Sequence, residues 1–150
     1  MRLLMTGCEY AGVTTLTMAI KEWAEGAMGG EIGDGHDHFQ VPHLAHGELT
    51  AEEQNQVLAL SPHLKEIFQR YNMEYHMQPS FFDAQHHVLI GMHIDEAVYA
   101  PIYYGYGAQG EYAARSDFAR HMEERLVGYA PDFIHVLVKA SPEVIASRMD

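Results

Sequence analysis

The chain has 150 residues, of which 47% are hydrophobic, and this is enough for one domain with a buried core. Its 9 Lys and Arg residues stand against 21 Asp and Glu residues, and the net charge of −12 argues against binding to DNA or RNA. A single cysteine, Cys8, excludes an internal disulfide, and no apolar run is long enough to span a membrane. The start of the chain does not read as a signal peptide, so the sequence predicts a cytoplasmic protein.

The first half of the chain predicts two strands and three helices. Residues 2–6 form a short apolar run, and after a glycine-bearing turn a helical pattern follows until glycines end it. The stretch "EIGDGHDHFQVPHLAHGE" is typical of a brief strand that runs into a loop. Thr50 and Glu53 then open a helix in capping-box register, and Ser61 with Pro62 opens another.

The second half repeats this alternation. "HHVLIGMH" predicts a buried strand, Asp95 starts a helix, and "GYGAQGE" predicts a glycine-rich break. "EYAARSDFARHMEERLVGYA" predicts a long amphipathic helix, "DFIHVLVKA" another strand, and Ser141 with Pro142 a last helix. Strands that alternate with helices predict an α/β fold with a mainly parallel sheet.

The turn after the first strand, "GCEYAGVTT" at residues 7–15, has the spacing of a phosphate-binding loop. In such a loop backbone N–H groups cradle the phosphates, a lysine reaches the outer phosphates, and a hydroxyl binds magnesium. Val13 occupies the lysine position, and the alternative is a structural turn. The predicted phosphate contacts are Gly7, Tyr10, Ala11, Gly12, Val13, Thr14 and Thr15, with Mg²⁺ on Thr14.

Three further stretches, "GDGHDHF", "HHVLIGMHIDEAVY" and "DFIHVLVKASPEVIASRM", follow the predicted strands in the order seen in one superfamily. With the loop, they make the chain resemble the P-loop kinases that phosphorylate nucleosides, nucleotides and small metabolites. The resemblance implies one domain over residues 1–150 with a three-layer α/β/α P-loop fold. It also implies that ATP and Mg²⁺ are bound, and that the γ-phosphate passes to a small-molecule acceptor.

Candidate site residues follow from the same placement. Asp34 or Asp37, after the second strand, could act as a general base or hold magnesium through water, and Asp37 is the favoured residue to orient the acceptor. Arg115 is expected to neutralise phosphate charge. Turn formation is the alternative role for an Asp in such a loop. Tyr99 could stack on a planar substrate or pack in the core. The predicted substrate contacts are Asp34, His38, Phe39, Asp95 and Tyr99.

Two departures from the resembled family lead to alternative functions. Val13 removes the charge that stabilises a transferring phosphate, so the rival hypothesis is an inactive module that binds a nucleotide or a partner. A sulfotransferase-like enzyme is a third hypothesis, because "AGVTTL" also resembles the phosphate loop of that class. The histidine-rich stretch 36–46 could supply a metal site or simply polar loop residues.

The second departure is the last residue, Asp150, where the resembled kinases continue into an arginine-bearing lid, another strand and a closing helix. The expected domain is therefore either truncated or without a lid. Residues 133–138 would then form an open sheet edge, which predicts a homo-oligomer or pairing with a missing C-terminal segment.

Overall fold

The computed structural model describes residues 1–29, 32–37, 49–79 and 86–149, with residues 33–37 described by their backbone alone. Strands alternate with helices along the chain, as the sequence predicts. The strands are β1 (Arg2–Thr6), β2 (Gly33–Asp37), β3 (His87–Ile90) and β4 (Ile134–Leu137). The helices are α1 (Val13–Met28), α2 (Ala51–Leu58), α3 (Pro62–His76), α4 (Met92–Tyr99), a π-helical turn (Ala100–Tyr104), α5 (Arg115–Tyr129) and α6 (Pro142–Met149).

The four strands form one parallel sheet in the order β2-β3-β1-β4. β1 is therefore an inner strand, flanked by β3 on one side and by β4 on the other. The prediction of an α/β fold with a parallel sheet is confirmed. Because all four strands run in the same direction, their carboxyl ends meet at one edge of the sheet, where open α/β sheets bind ligands.

Helices cover both faces of the sheet, because successive side chains of a strand point to opposite faces. Leu3 and Met5 of β1 belong to an apolar cluster that includes Ala24 of α1. Leu4, between them, belongs to a second cluster that draws on α3, α4 and α5 and includes Met122. The inner strand thus fixes α1 on one face and the longer helical layer on the other.

The helix starts that carry a side-chain cap lie where the sequence predicts them. The Thr50 hydroxyl accepts from the Glu53 N–H and the Glu53 carboxylate accepts from the Thr50 N–H, which completes the capping box of α2. The Ser61 hydroxyl caps α3 in front of Pro62. Such caps satisfy backbone donors locally, so they can be read without knowledge of the tertiary fold.

Two helix starts differ from the prediction. α4 begins at Met92 instead of Asp95, because the turn after β3 is made within two residues, Gly91 and Met92, that both have positive φ. α5 begins at Arg115, four residues later than the amphipathic pattern suggests, since Ala113 has a φ of 57° and interrupts helical geometry. No helix in the described ranges is long and apolar enough to cross a membrane.

Candidate functional site

A cleft of about 870 Å³ opens at the carboxyl ends of β1 and β3, over the N-terminus of α1. It combines the complete glycine-bearing loop with side chains from three other parts of the chain. Its lining comprises residues 7–16 together with Ala19, Ile90, Asp95, Tyr99, Val138 and Arg148. The structure thus brings the predicted phosphate loop together with two of the predicted substrate contacts, Asp95 and Tyr99.

Gly7 lies where the loop leaves β1, in a space too small for a side chain. A Cβ there would lie 2.7 Å from the carbonyl oxygen of Val138 and 2.8 Å from Cγ2 of Val13. Val138 is held in place because its N–H donates to the Thr6 carbonyl oxygen, which extends the pairing of β1 with β4. The first glycine of the motif is therefore required by the close approach of two strands.

The rest of the loop turns through two residues with positive φ, Tyr10 (61°) and Gly12 (101°). The Ala11 N–H closes the turn by donating to the Cys8 carbonyl oxygen at 3.0 Å. Gly12 is the N-cap of α1 and supplies no side-chain cap, so the first N–H groups of the helix have no side-chain acceptor. Such uncapped N–H groups, with the positive end of the helix dipole, attract anions.

Val13 replaces the lysine of the motif with a side chain that belongs to the core. It is partly buried and packs against the apolar cluster of β1, β3 and α1. The hydroxyl-bearing residues that follow it, Thr14 and Thr15, are exposed and line the cleft. The Thr14 hydroxyl, the predicted Mg²⁺ ligand, is therefore accessible from the cleft.

Asp95 faces the cleft from the first turn of α4. A Cβ on Gly91 would lie 2.8 Å from Oδ2 of Asp95, so the carboxylate lies directly against the backbone at the end of β3. Gly91 has a φ of 69° and its N–H donates to the Met5 carbonyl oxygen, which ties this turn to β1. The sequence placed Asp95 at the helix start, and the structure shows that the turn before it positions the carboxylate.

Tyr99 closes the same side of the cleft one turn further along α4. Its hydroxyl accepts a hydrogen bond from the Glu9 N–H at 3.1 Å, and its ring stacks on Tyr103 with centroids 5.6 Å apart. Burial is the main cause that raises the pKa of Tyr99; the hydrogen bond from the Glu9 N–H acts in the opposite direction, and the nearby Asp95 and Glu9 carboxylates raise the pKa further. The phenol therefore stays neutral at physiological pH and keeps the loop in place through Glu9.

Arg148, in the last turn of α6, reaches the loop from the opposite side. Its Nη1 donates to the Tyr10 carbonyl oxygen at 2.7 Å, and the same atom lies 3.5 Å from the position of a Cβ on Gly12. The resemblance to P-loop kinases implied only that Arg148 would lead into a lid, and its contact with Tyr10, 138 positions away, was not predicted. The only signal was an arginine in the helix after the last strand.

Four predicted contacts lie on or after β2. Asp34 and Asp37 are backbone positions of that strand, and Asp37 is in register with Ile90, which lines the cleft. The backbone of Asp37 thus lies at the carboxyl ends of the strands, where the cleft opens. His38 and Phe39 lie outside the described residues, as do His43 and His46 of the histidine-rich stretch. Within the described ranges, no group of three or more His, Cys, Asp or Glu side chains could hold a metal ion.

The structure places Arg115 elsewhere. Its side chain is fully buried, 2.9 Å from Oε1 of Glu66 and 3.1 Å from Oε1 of Glu96. The guanidinium also lies over the rings of Tyr106 and Phe118, at 5.0 and 4.5 Å from their centroids. Arg115 is at the very start of α5, and its N–H donates to the Gly107 carbonyl oxygen, which turns it into the helical layer. Two carboxylates neutralise it there, away from the residues that line the cleft.

The cleft combines donors for an anion with acidic groups at its margin. The loop backbone and Arg148 supply donors, and Glu9 of the loop and Asp95 of α4 supply carboxylates. An anion in the loop would meet N–H donors, and a cation or a hydroxyl between the anion and Asp95 would meet a carboxylate.

Comparison of the chain with models of known families, with characterised proteins and with solved structures gives no match.

Proposed function

We propose that this chain is a P-loop kinase-like domain that binds the phosphates of ATP over residues 7–15 and transfers the γ-phosphate to a small-molecule acceptor. One observation carries the proposal: an inner parallel strand leads through a glycine turn directly to an uncapped helix N-terminus that opens into a cleft. Backbone N–H groups and the helix dipole supply the anion site without a large positive charge. This suits a chain whose net charge is −12.

In this proposal Thr14 holds Mg²⁺ against the phosphates, as the hydroxyl of such loops does. Asp95 and Tyr99 line the cleft from α4, and Tyr99 already contacts the loop through Glu9. The acceptor would therefore lie beside Asp95 and the Tyr99 ring, next to a phosphate on the loop. Asp37 belongs to the edge of the sheet where the acceptor would enter, and it is the proposed general base. Because its buried side chain pairs with Glu66 and Glu96, the proposal does not include Arg115 in catalysis.

A second candidate function is nucleotide binding without transfer, and one observation favours it. Position 13 holds a partly buried valine that packs against the apolar cluster, so the lysine that normally stabilises the transferring phosphate is absent from its usual place. Binding and transfer therefore need separate measurements.

Calorimetry with ATP and Mg²⁺ measures nucleotide affinity, and the variant V13K tests whether the loop is the phosphate site. Lysine at this position adds a charge-assisted contact to phosphate, so V13K should bind ATP about tenfold or more tightly than the wild type. M18K is the matched control, because Met18 is on the same helix, is 66% exposed and does not line the cleft. Equal affinities of V13K and M18K, with both proteins folded, would contradict the proposed phosphate site.

Transfer is tested by incubating the protein with ATP, Mg²⁺ and a panel of nucleosides, nucleoside monophosphates and small hydroxylated metabolites. Mass spectrometry should detect one phosphorylated acceptor in the panel. Tight ATP binding with no phosphorylated product in the wild type or in V13K would favour the non-catalytic candidate.

A further inference from the structure

We infer that Arg148 of α6 provides the positive charge for a phosphate on the loop, in place of the lysine that is absent at position 13 of α1. The inference rests on the proposed function, because it assigns a phosphate contact within the same cleft. Arg148 is the only Lys or Arg among the described residues that line the cleft. It meets the loop at Tyr10 and Gly12, the two residues whose positive φ shapes the cradle.

Among the described residues, no carboxylate pairs with Arg148, which sets it apart from the other arginines. The chain has six arginines, and five of them form ion pairs with Asp or Glu at 3.1 Å or less: Arg2, Arg70, Arg115, Arg120 and Arg125. Arg148 has no such partner in the described parts of the chain. Its one hydrogen bond goes to a carbonyl oxygen, which leaves the positive charge available to a ligand.

Arg148 has hydrogen-bond donors, as well as a positive charge, that a ligand can use. A guanidinium carries N–H groups in a planar fork that matches two phosphate oxygens, and a single contact to Tyr10 uses one of them. The side chain is exposed, so a ligand can reach the remaining donors. A phosphate over the loop would then lie between the N–H groups of the α1 N-terminus and the guanidinium.

The local structure of α6 directs Arg148 to this point. The Ser141 hydroxyl accepts from the Val144 N–H at 3.4 Å and fixes the start of the helix just after β4. Two helical turns later, Arg148 has returned to the loop that begins next to Val138. Because β4 pairs with β1, the start of the loop after β1 and the start of α6 after β4 are held next to each other.

The test measures binding of inorganic tripolyphosphate and of ATP, each with Mg²⁺, by calorimetry. R148Q should weaken binding of both by about ten- to hundredfold, and R148K by less, because an ammonium keeps the charge but not the fork. R120Q is the matched control, since Arg120 is an exposed arginine on α5 that pairs with Asp117 and does not line the cleft. R120Q should bind like the wild type.

The double variant V13K with R148Q separates a phosphate contact from a role in holding the loop. If Arg148 acts by its charge, a lysine at position 13 should recover at least about tenfold of the lost affinity. Loss of binding in R148Q without recovery would show that Arg148 only supports the loop and would overturn the inference. Unchanged binding in R148Q would overturn it while leaving the proposed function intact. If the wild type binds neither ligand, the proposed function itself is wrong and the inference fails with it.

Discussion

The Tyr99 hydroxyl accepts a hydrogen bond from the backbone N–H of Glu9, across the mouth of the cleft, at 3.1 Å. This contact ties α4, which follows β3, to the loop that follows β1. The phenol oxygen accepts this N–H whether or not the phenol is ionised, so the contact does not depend on the protonation state of Tyr99. The position of the loop therefore depends on the helical layer as well as on its own glycines.

Y99F should increase hydrogen exchange at the Glu9 amide. Loss of a hydrogen bond worth about 0.5–1.5 kcal/mol corresponds to faster exchange by a factor of about 2–12, if local opening limits exchange. Y103F is the control, because Tyr103 stacks on Tyr99 and is exposed but makes no contact with Glu9. Equal protection of the Glu9 amide in Y99F and in the wild type would show that Tyr99 does not hold the loop.

Two glycines in this part of the chain should respond to alanine in opposite directions. G7A places a Cβ against Val138 and Val13, so we expect it to lower the free energy of unfolding by about 1–3 kcal/mol. G26A is the control within α1: no atom lies within 4 Å of its Cβ position, and alanine in a helix should stabilise by about 0.5–1 kcal/mol. Urea denaturation measures the free energy of unfolding of both variants. An unchanged free energy of unfolding in G7A would mean that β1 and β4 can separate slightly at little cost.

Arg115 should matter for stability far more than an exposed arginine of the same helix. R115L leaves the buried Glu96 carboxylate without its cation, while Glu66 keeps its pair with Arg70 at 2.6 Å. Breaking such a buried pair costs about 3–5 kcal/mol. R120L removes an exposed pair with Asp117 and should cost less than about 1 kcal/mol. If R115L and R120L lower the free energy of unfolding by similar amounts, the buried ion pairs of Arg115 do not contribute to stability as we expect.

His93 should make the fold sensitive to mild acid. Its ring is buried, its Nε2 lies 2.6 Å from Oε2 of Glu123, and burial lowers its pKa although Glu123 acts in the opposite direction. A folded-state pKa below the unfolded value of about 6.5 means that the unfolded chain binds more protons, so this contribution to stability is lost as pH falls below that value. H93Q should therefore show a flatter decline in the free energy of unfolding between about pH 7 and 5 than the wild type. Identical slopes would contradict a neutral buried His93.

What the sequence predicted correctly depends on contacts between near neighbours. The capping box of Thr50 and Glu53 and the Ser61–Pro62 start are each complete within four residues, so residue type and spacing suffice to predict them. The parallel sheet follows from alternation of strands and helices along the chain. Gly7 and Gly12 were likewise read from spacing, and both have a geometric reason in the structure.

What the sequence could not give depends on contacts between distant residues. Arg115 and Arg148 are both arginines near helix ends, and nothing in their neighbouring residues tells which one is buried against carboxylates and which one meets the loop. The outcome is decided by Glu66 and Glu96, which come from α3 and α4, and by the return of α6 to β1. Only the packing of these elements shows that Arg115 has structural ion pairs and that Arg148 is a candidate ligand contact.

The last prediction concerns β4, which is an edge strand in the described sheet and pairs with β1 alone. Ile134 is 55% exposed and Leu137 is 56% exposed, on opposite faces of that strand, so the edge offers apolar side chains beside unpaired backbone groups. Proteins normally cover or blunt such an edge, and we expect this chain to self-associate through it.

Sedimentation at several concentrations tests the expectation. The wild type should associate in the micromolar range, and I134K should shift the chain towards monomer, because a lysine at the edge opposes pairing with another strand. V127K is the matched control: Val127 is 56% exposed, but it lies on α5 and not at the sheet edge, so it should associate as the wild type does. A wild-type monomer at every concentration would show that the β4 edge does not pair between copies of the chain. Equal effects of I134K and V127K would indicate that association uses general surface charge rather than the strand.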